Sequence, residues 1–187
     1  MTLLKNALGL SHEYIKSAVQ SGDTVVDATC GNGHDTLFLS NLVGAKGKVY
    51  GFDIQAEAIR NTRALFMRSA SFQNTALISC GHEMMEQYVP AGIAAALFNF
   101  GYLPGGDHQK ATKKETSVRG VGAAAKLLRP GGLITLCIYS GGDTGFEEKE
   151  ALLAFCKTLD PKQFGVLAHE FINQKNHPPM LICIEKK

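Results

Sequence analysis

Val25-Val26-Asp27-Ala28-Thr29-Cys30-Gly31-Asn32-Gly33-His34-Asp35-Thr36 is the stretch on which the fold turns. Thr24 to Ala28 reads as a short buried strand, β-branched and apolar up to the aspartate. It runs into a glycine turn and then into a helix around His34 to Leu42. Gly31 and Gly33 permit close backbone approach, and the helix start offers unpaired N–H groups. Strand, glycine turn and helix in this order open a Rossmann-like α/β unit.

Outward from this stretch, strand-like and helix-like segments alternate. A first helix is expected within Ser11 to Gln20, with Ser11 as its N-cap. Gly47 to Asp53 reads as the second strand and Gln55 to Met67 as the next helix; Ala76 to Ser79 and Ile93 to Asn99 are two more strands. A loop, Phe100 to Ala111, leads to a helix near Lys113 to Leu128, which Arg129-Pro130-Gly131-Gly132 should stop. Leu133 to Tyr139 is a fifth strand and Phe146 to Leu159 a further helix. Phe164 to Ile172 and Met180 to Glu185 then follow as strands without an intervening helix, which implies an antiparallel hairpin. The expected fold is a Rossmann-like α/β domain with a seven-stranded, mostly parallel sheet and a C-terminal antiparallel hairpin. That is the architecture of methyltransferases that use S-adenosylmethionine (SAM). No repeat or linker divides the chain, so residues 1–187 are expected to form one domain.

The glycine turn also selects the cofactor. A dinucleotide site would complete GxGxxG with a third glycine, but Thr36 stands there. SAM carries no phosphate, and its methionine part can lie against the same turn. Asp53, twenty residues after Gly33, closes the second strand, where a carboxylate can accept from both ribose hydroxyls. Ile54 is then expected beside the adenine and Gln55 at the next helix start. Ser79-Cys80-Gly81-His82 follows the third strand, where methyltransferases usually hold the adenine edge. The cofactor set read from these turns is Asp27, Gly31, Asn32, Gly33, Asp35, Asp53, Ile54, Gln55, Gly81 and His82. Asp27 can also be read as a cap of the following turn, and His82 as a surface histidine. His82-Glu83-Met84-Met85-Glu86 ends in glutamate and so departs from HExxH, and no metal is expected.

Composition narrows the class. At 45% hydrophobic and 19% charged, the chain has the balance of a globule rather than of a disordered segment. A net charge of +2 produces no global field for nucleic acid. The cations are uneven, however: Lys110, Lys113, Lys114, Arg119, Lys126 and Arg129 share one segment with Glu115 as its sole acid. That segment is either an RNA-facing edge or a solvated helix face. Five scattered cysteines without a CxxC pair favour reduced thiols. No secretory signal and no apolar run of membrane-spanning length is found, so a cytoplasmic protein without membrane contact is expected.

Phe98-Asn99-Phe100-Gly101-Tyr102-Leu103-Pro104-Gly105-Gly106-Asp107 leaves the fourth strand on the ligand side of such a sheet. Amino-directed methyltransferases often place a polar-Pro-Pro-aromatic motif there, and Asn99 with Tyr102 and Pro104 resembles a stretched version. The other reading is a turn that merely ends the strand. Asn99 and Tyr102 are the catalytic candidates, Asn99 to hold a target amine and Tyr102 to wall the pocket. Tyr139, Asn176 and His177, with Lys113, Lys114 and Arg119, are the substrate-side candidates. Asn176-His177-Pro178-Pro179 reads equally as a stiff hairpin turn.

The runs DATCGNGHDT, GFDIQ, FNFGYLPGGD and FINQKNHPP, in this order, resemble the bacterial rRNA methylase family over nearly the whole chain. Members in Gram-positive bacteria methylate a tRNA, converting wobble 5-aminomethyl-2-thiouridine to its methylaminomethyl form. The resemblance therefore implies SAM as cofactor and a tRNA anticodon region as partner. Methyltransferases of rRNA, of a small-molecule amine or of a protein amine are the alternatives, followed by an inactive SAM-binding adaptor. Family members commonly carry IYHGH after the fifth strand, whereas Ile138-Tyr139-Ser140-Gly141-Gly142 stands here. No role of that histidine carries over. A homodimer would widen the basic surface of so short a chain.

Overall fold

In the computed structural model the described residues are 4–69, 74–101, 113–139, 145–176 and 178–187. Tyr102, Pro104, Lys110, Ser140 and His177 lie outside them. The elements follow the order α1 (Ala7–Ala18), β1 (Thr24–Asp27), α2 (His34–Val43), β2 (Lys48–Phe52), α3 (Ala56–Arg68), β3 (Thr75–Ile78), a 3₁₀ helix (His82–Gln87), β4 (Ile93–Phe100), α4 (Lys114–Leu127), β5 (Leu128–Ile138), α5 (Gly145–Thr158), β6 (Phe164–His169) and β7 (Met180–Lys186). The strands form one seven-stranded sheet ordered β3-β2-β1-β4-β5-β7-β6. Pairings among β1 to β5 are parallel, and β7 runs antiparallel to both β5 and β6. The expected α/β fold with its terminal hairpin is the fold observed.

Alternation along the strands builds a core on each face. Val25, Val49 and Leu97 turn toward α1 and α2, where Ile15, Leu39 and Val43 are fully buried. Their neighbours Val26, Phe52 and Phe98 turn the other way, onto Val121 and Ala124 of α4 and Leu152 of α5. A strand buried on both faces reads as a continuous apolar run, and β4 is such a run. β1 sits between β2 and β4, so the chain reverses direction across the sheet at β1/β4. A crevice opens at such a switch point, beyond the carboxyl ends of the strands.

Four local readings are corrected. The first helix begins at Ala7, capped by Asn6, whose Oδ1 accepts from Gly9 N at 2.8 Å. Ser11 is not its cap but lies fully buried inside it, its hydroxyl donating to Thr135 Oγ1 at 2.8 Å. Arg129 to Gly132 do not form a stop after the helix but belong to β5, which takes up the chain at Leu128. The extra residues there are absorbed by a bulge opposite Ile93 to Ala95. Arg129 also forks onto Asp23, with bonds of 2.7 and 2.9 Å. Finally, β6 ends at His169, and Ile172 is exposed beyond it.

Candidate functional site

The loop after β1 is shaped from below. Asp27 is fully buried at the strand end and accepts from Thr29 N at 3.1 Å and from the Thr36 hydroxyl at 2.6 Å. Burial, and next the nearby Asp35 carboxylate, push its pKa up to about 7, against the pull of the two hydrogen bonds. Asp27 therefore supports the loop rather than lining the cleft above it. Thr36, in place of a third glycine, is the residue that ties α2 to that carboxylate. Gly33 has φ +85°, and a Cβ there would meet Thr62 of α3 at 2.8 to 2.9 Å. Only glycine suits that position, on conformation and on space.

A cleft of about 430 Å³ opens above this loop. Its wall takes Ala28 to Asn32 with His34 and Asp35 after β1, Asp53 to Gln55 after β2, Cys80 to Glu83 after β3, and Asn99 and Gly101 after β4. Asp53 Oδ2 accepts from Gly31 N and Oδ1 from Gln55 N, both at 2.9 Å. Each carboxylate oxygen has a lone pair left for an incoming hydroxyl. Among the described residues the cleft is thus lined by the carboxylates of Asp35, Asp53 and Glu83 against one permanent cation, Lys113. That balance suits a cationic sulfonium and an amine, and is poor for a pyrophosphate. The residues present fit SAM.

Asn99 sits at the floor. Its backbone N–H donates to Thr29 Oγ1 at 2.8 Å, and its side-chain Nδ2 donates to Asp35 Oδ2 at 3.4 Å. Its Oδ1 is buried without a hydrogen-bond partner among the described residues. His82, the third-strand histidine, is also buried. Nδ1 lies 3.2 Å from the Ala28 carbonyl, and the ring meets Phe98 and Phe100 edge-on. Burial pulls its pKa down, which favours the neutral ring, and Nε2 faces the backbone of Thr116 without meeting hydrogen-bond geometry. The surface reading of His82 is therefore wrong.

The structure gathers most of the residues that the motifs nominate. Gly31, Asn32, Asp35, Asp53, Ile54, Gln55, Gly81, His82, Asn99 and Lys113 all line the cleft. Tyr139 is half-exposed at the end of β5, its ring beside Gly101 on the rim. Lys114 is tied to Glu147 at 2.9 Å, Arg119 is exposed away from the cleft wall, and Asn176 is exposed in the β6–β7 connection. Sequence reasoning missed Thr29, whose signal lay inside the glycine motif, and His12. His12 Nε2 is 2.8 Å from Asp35 Oδ1, across a separation that no local spacing could indicate. Among the described residues no group of three or more His, Cys, Asp or Glu could hold a metal ion. None of their helices is long and apolar enough to cross a membrane.

Known proteins share this arrangement. The profile of the family described as "Putative rRNA methylase" matches residues 49–185. A chloroplastic tRNA (mnm(5)s(2)U34)-methyltransferase of Arabidopsis thaliana is 34% identical, over 98% of this chain and 70% of its own length. A crystal structure of a protein from Clostridium thermocellum, described as a putative rRNA-methylase, is 52% identical over the full length of both chains, with a TM-score of 0.97. A Streptococcus mutans protein described as a putative methyltransferase was solved in complex with SAH. It is 37% identical, covers 99% of this chain and 100% of its own, and has a TM-score of 0.90. Sheet order, glycine loop, strand-end aspartate and these relatives converge: the chain belongs to the rRNA methylase family and is a SAM-dependent methyltransferase.

Proposed function

We propose that this enzyme methylates the aminomethyl nitrogen of wobble 5-aminomethyl-2-thiouridine in tRNA. The observation that carries the reading is the Asn99 amide. Its Nδ2 is committed to a carboxylate, so the buried Oδ1, without a partner among the described residues, is an acceptor in want of an N–H. An amine brings such a donor, and a buried acceptor left unpaired would cost about 1–3 kcal/mol. The name of the Arabidopsis relative supplies the RNA position.

The bound cofactor supplies an electrophilic methyl group. The chain's own task is to hold a neutral amine in line with it and to exclude water. Asp53 and the Gly31 turn would hold the ribose and methionine ends of the cofactor. Asn99 would orient the amine by accepting one of its N–H bonds at Oδ1. Tyr139 walls the nucleobase. Lys113 on the rim, with Arg119, grips phosphates beside the target nucleotide; Lys114, already paired, contributes less. The wobble base must leave its stack to reach this depth.

The reaction belongs in the cytoplasm with its tRNA, and residues 1–187 act as one catalytic domain, paired as a homodimer where a wider basic surface is needed. Methylation of rRNA is the second reading, supported by the family's description. Incubation with SAM and aminomethylated tRNA, unmodified tRNA or rRNA, followed by nucleoside mass spectrometry, decides between them. The expected result is one added methyl group on the aminomethyl nucleoside and none on unmodified tRNA. Methyl transfer to rRNA instead overturns the tRNA assignment.

A further inference from the structure

His12 belongs to none of the glycine-turn, strand-end or loop motifs that build the cleft, yet α1 carries it to Asp35. The buried Ser11–Thr135 hydrogen bond and the fully buried Ile15 pin that part of α1 to the sheet. The imidazole stacks on Phe38 at 4.0 Å between centroids with a 13° interplanar angle. Its Nε2 meets Asp35 Oδ1 at 2.8 Å, and Asp35 Oδ2 accepts from Asn99 Nδ2 at 3.4 Å. Three side chains from α1, α2 and β4 thus form one chain, which ends at the unpartnered Asn99 Oδ1.

We propose that His12 is a positioning residue: by donating to Asp35 Oδ1 it fixes how that carboxylate is turned, so that Oδ2 takes the NH₂ of Asn99 and Asn99 presents Oδ1 to the target amine. The inference rests on the amine-methylating reading above. An asparagine amide is close to two-fold symmetric, and only its neighbours decide which end points where. An ionised carboxylate accepts and cannot donate, so it can pair only with the Nδ2 end. A protonated carboxyl could donate to Oδ1 and reverse the amide. Asp35 is nearly buried, its side chain 10% exposed. Among the described residues, His12 and Asn99 are the side chains that hydrogen-bond to it. An imidazole donates through Nε2 both when protonated and as the neutral Nε2–H tautomer, so the hold does not require a charge on His12.

The test compares His12→Phe, which keeps the stack on Phe38, with His12→Gln, which keeps a donor. Turnover is measured on aminomethylated tRNA, alongside SAM affinity by calorimetry. His12→Phe should lower kcat about 10–100-fold, the usual effect of removing a group that orients a reacting one. SAM affinity should stay within about threefold, since uniform binding is untouched. His12→Gln should recover most of kcat. Wild-type kcat in His12→Phe, or an equal loss in His12→Gln, overturns the proposal; the second result would mark proton transfer that only histidine performs. A second readout needs no substrate: the side-chain ¹⁵NH₂ signal of Asn99, assigned by its loss in Asn99→Asp. It should shift in His12→Phe and not in His12→Gln, and an unmoved signal in His12→Phe overturns the positioning role. If wild-type enzyme fails on aminomethylated tRNA while the signal responds as expected, the substrate reading falls and the positioning role stands.

Discussion

Asp53 accepts a hydrogen bond from the backbone N–H of Gly31 at 2.9 Å, so the carboxylate closing β2 also holds the glycine turn that follows β1. The two features read separately along the chain are one device. A residue nominated to bind a ribose is at the same time part of the wall against which the rest of the cofactor lies.

Asp53→Ala should therefore weaken SAM binding by about 1–3 kcal/mol, the loss expected for a charged hydrogen-bond partner. Asp53→Asn should fall between the two, because one oxygen survives to accept from either Gly31 or Gln55. Calorimetric titration with SAM measures both. A folded Asp53→Ala protein with wild-type affinity would remove Asp53 from the cofactor site.

Asn99→Ala should lower turnover strongly while SAM affinity stays within a few-fold, because the proposed partner of Oδ1 is the substrate. Asn99→Asp should be as damaging, since it sets a second carboxylate against Asp35. Parallel loss of SAM binding and turnover would make Asn99 a cofactor or folding residue.

Asp27 links stability to pH. Its folded pKa is pushed up to about 7 from an ordinary 3.8. The fold therefore binds this proton more tightly than the unfolded chain does. The contribution is complete below pH 3.8 and is lost as pH rises through about 7. The difference in Tm between Asp27→Asn and wild type should accordingly shift in the variant's favour from pH 4 to pH 8. Thermal melts at matched ionic strength give that difference, in which titrating groups distant from Asp27 cancel. A constant difference across the range would mean that Asp27 stays ionised at all these pH values.

Lys113 and Arg119 should carry the salt dependence of tRNA binding. For every phosphate left ungripped, the slope of log affinity against log salt should flatten by about 0.7–0.9. Lys113→Ala with Arg119→Ala should have that effect without changing SAM affinity, and Lys114→Ala much less, because Glu147 already holds that ammonium at 2.9 Å. Fluorescence anisotropy over a salt series reads all three proteins. Coincident curves for the double variant and wild type would place the RNA surface elsewhere.

What could be read along the chain was whatever depends on neighbours in sequence. The strand, turn and helix of residues 24–43 follow from the apolar run, the glycines and the periodicity. Asp53 at the end of β2 and the helix-free step between β6 and β7 were equally legible, and with them the sheet, its reversed strand and most of the cleft. Positions set by packing between distant segments were not. Ser11 looks like a helix cap until Thr135 is brought against it, and Pro130 with its glycines looks like a helix stop until β5 pairs with β4 through a bulge. His82 looks like a surface residue until Phe98 and Phe100 enclose it. His12 has no chemistry in its own neighbourhood; it gains one only because α1 docks across the sheet and lays its ring beside Asp35. Local propensity and motif spacing determined the elements and the cofactor loop. Which buried polar atoms find partners, and that Asn99 Oδ1 and His82 Nε2 find none among the described residues, is a matter of three-dimensional packing that only the tertiary structure could decide.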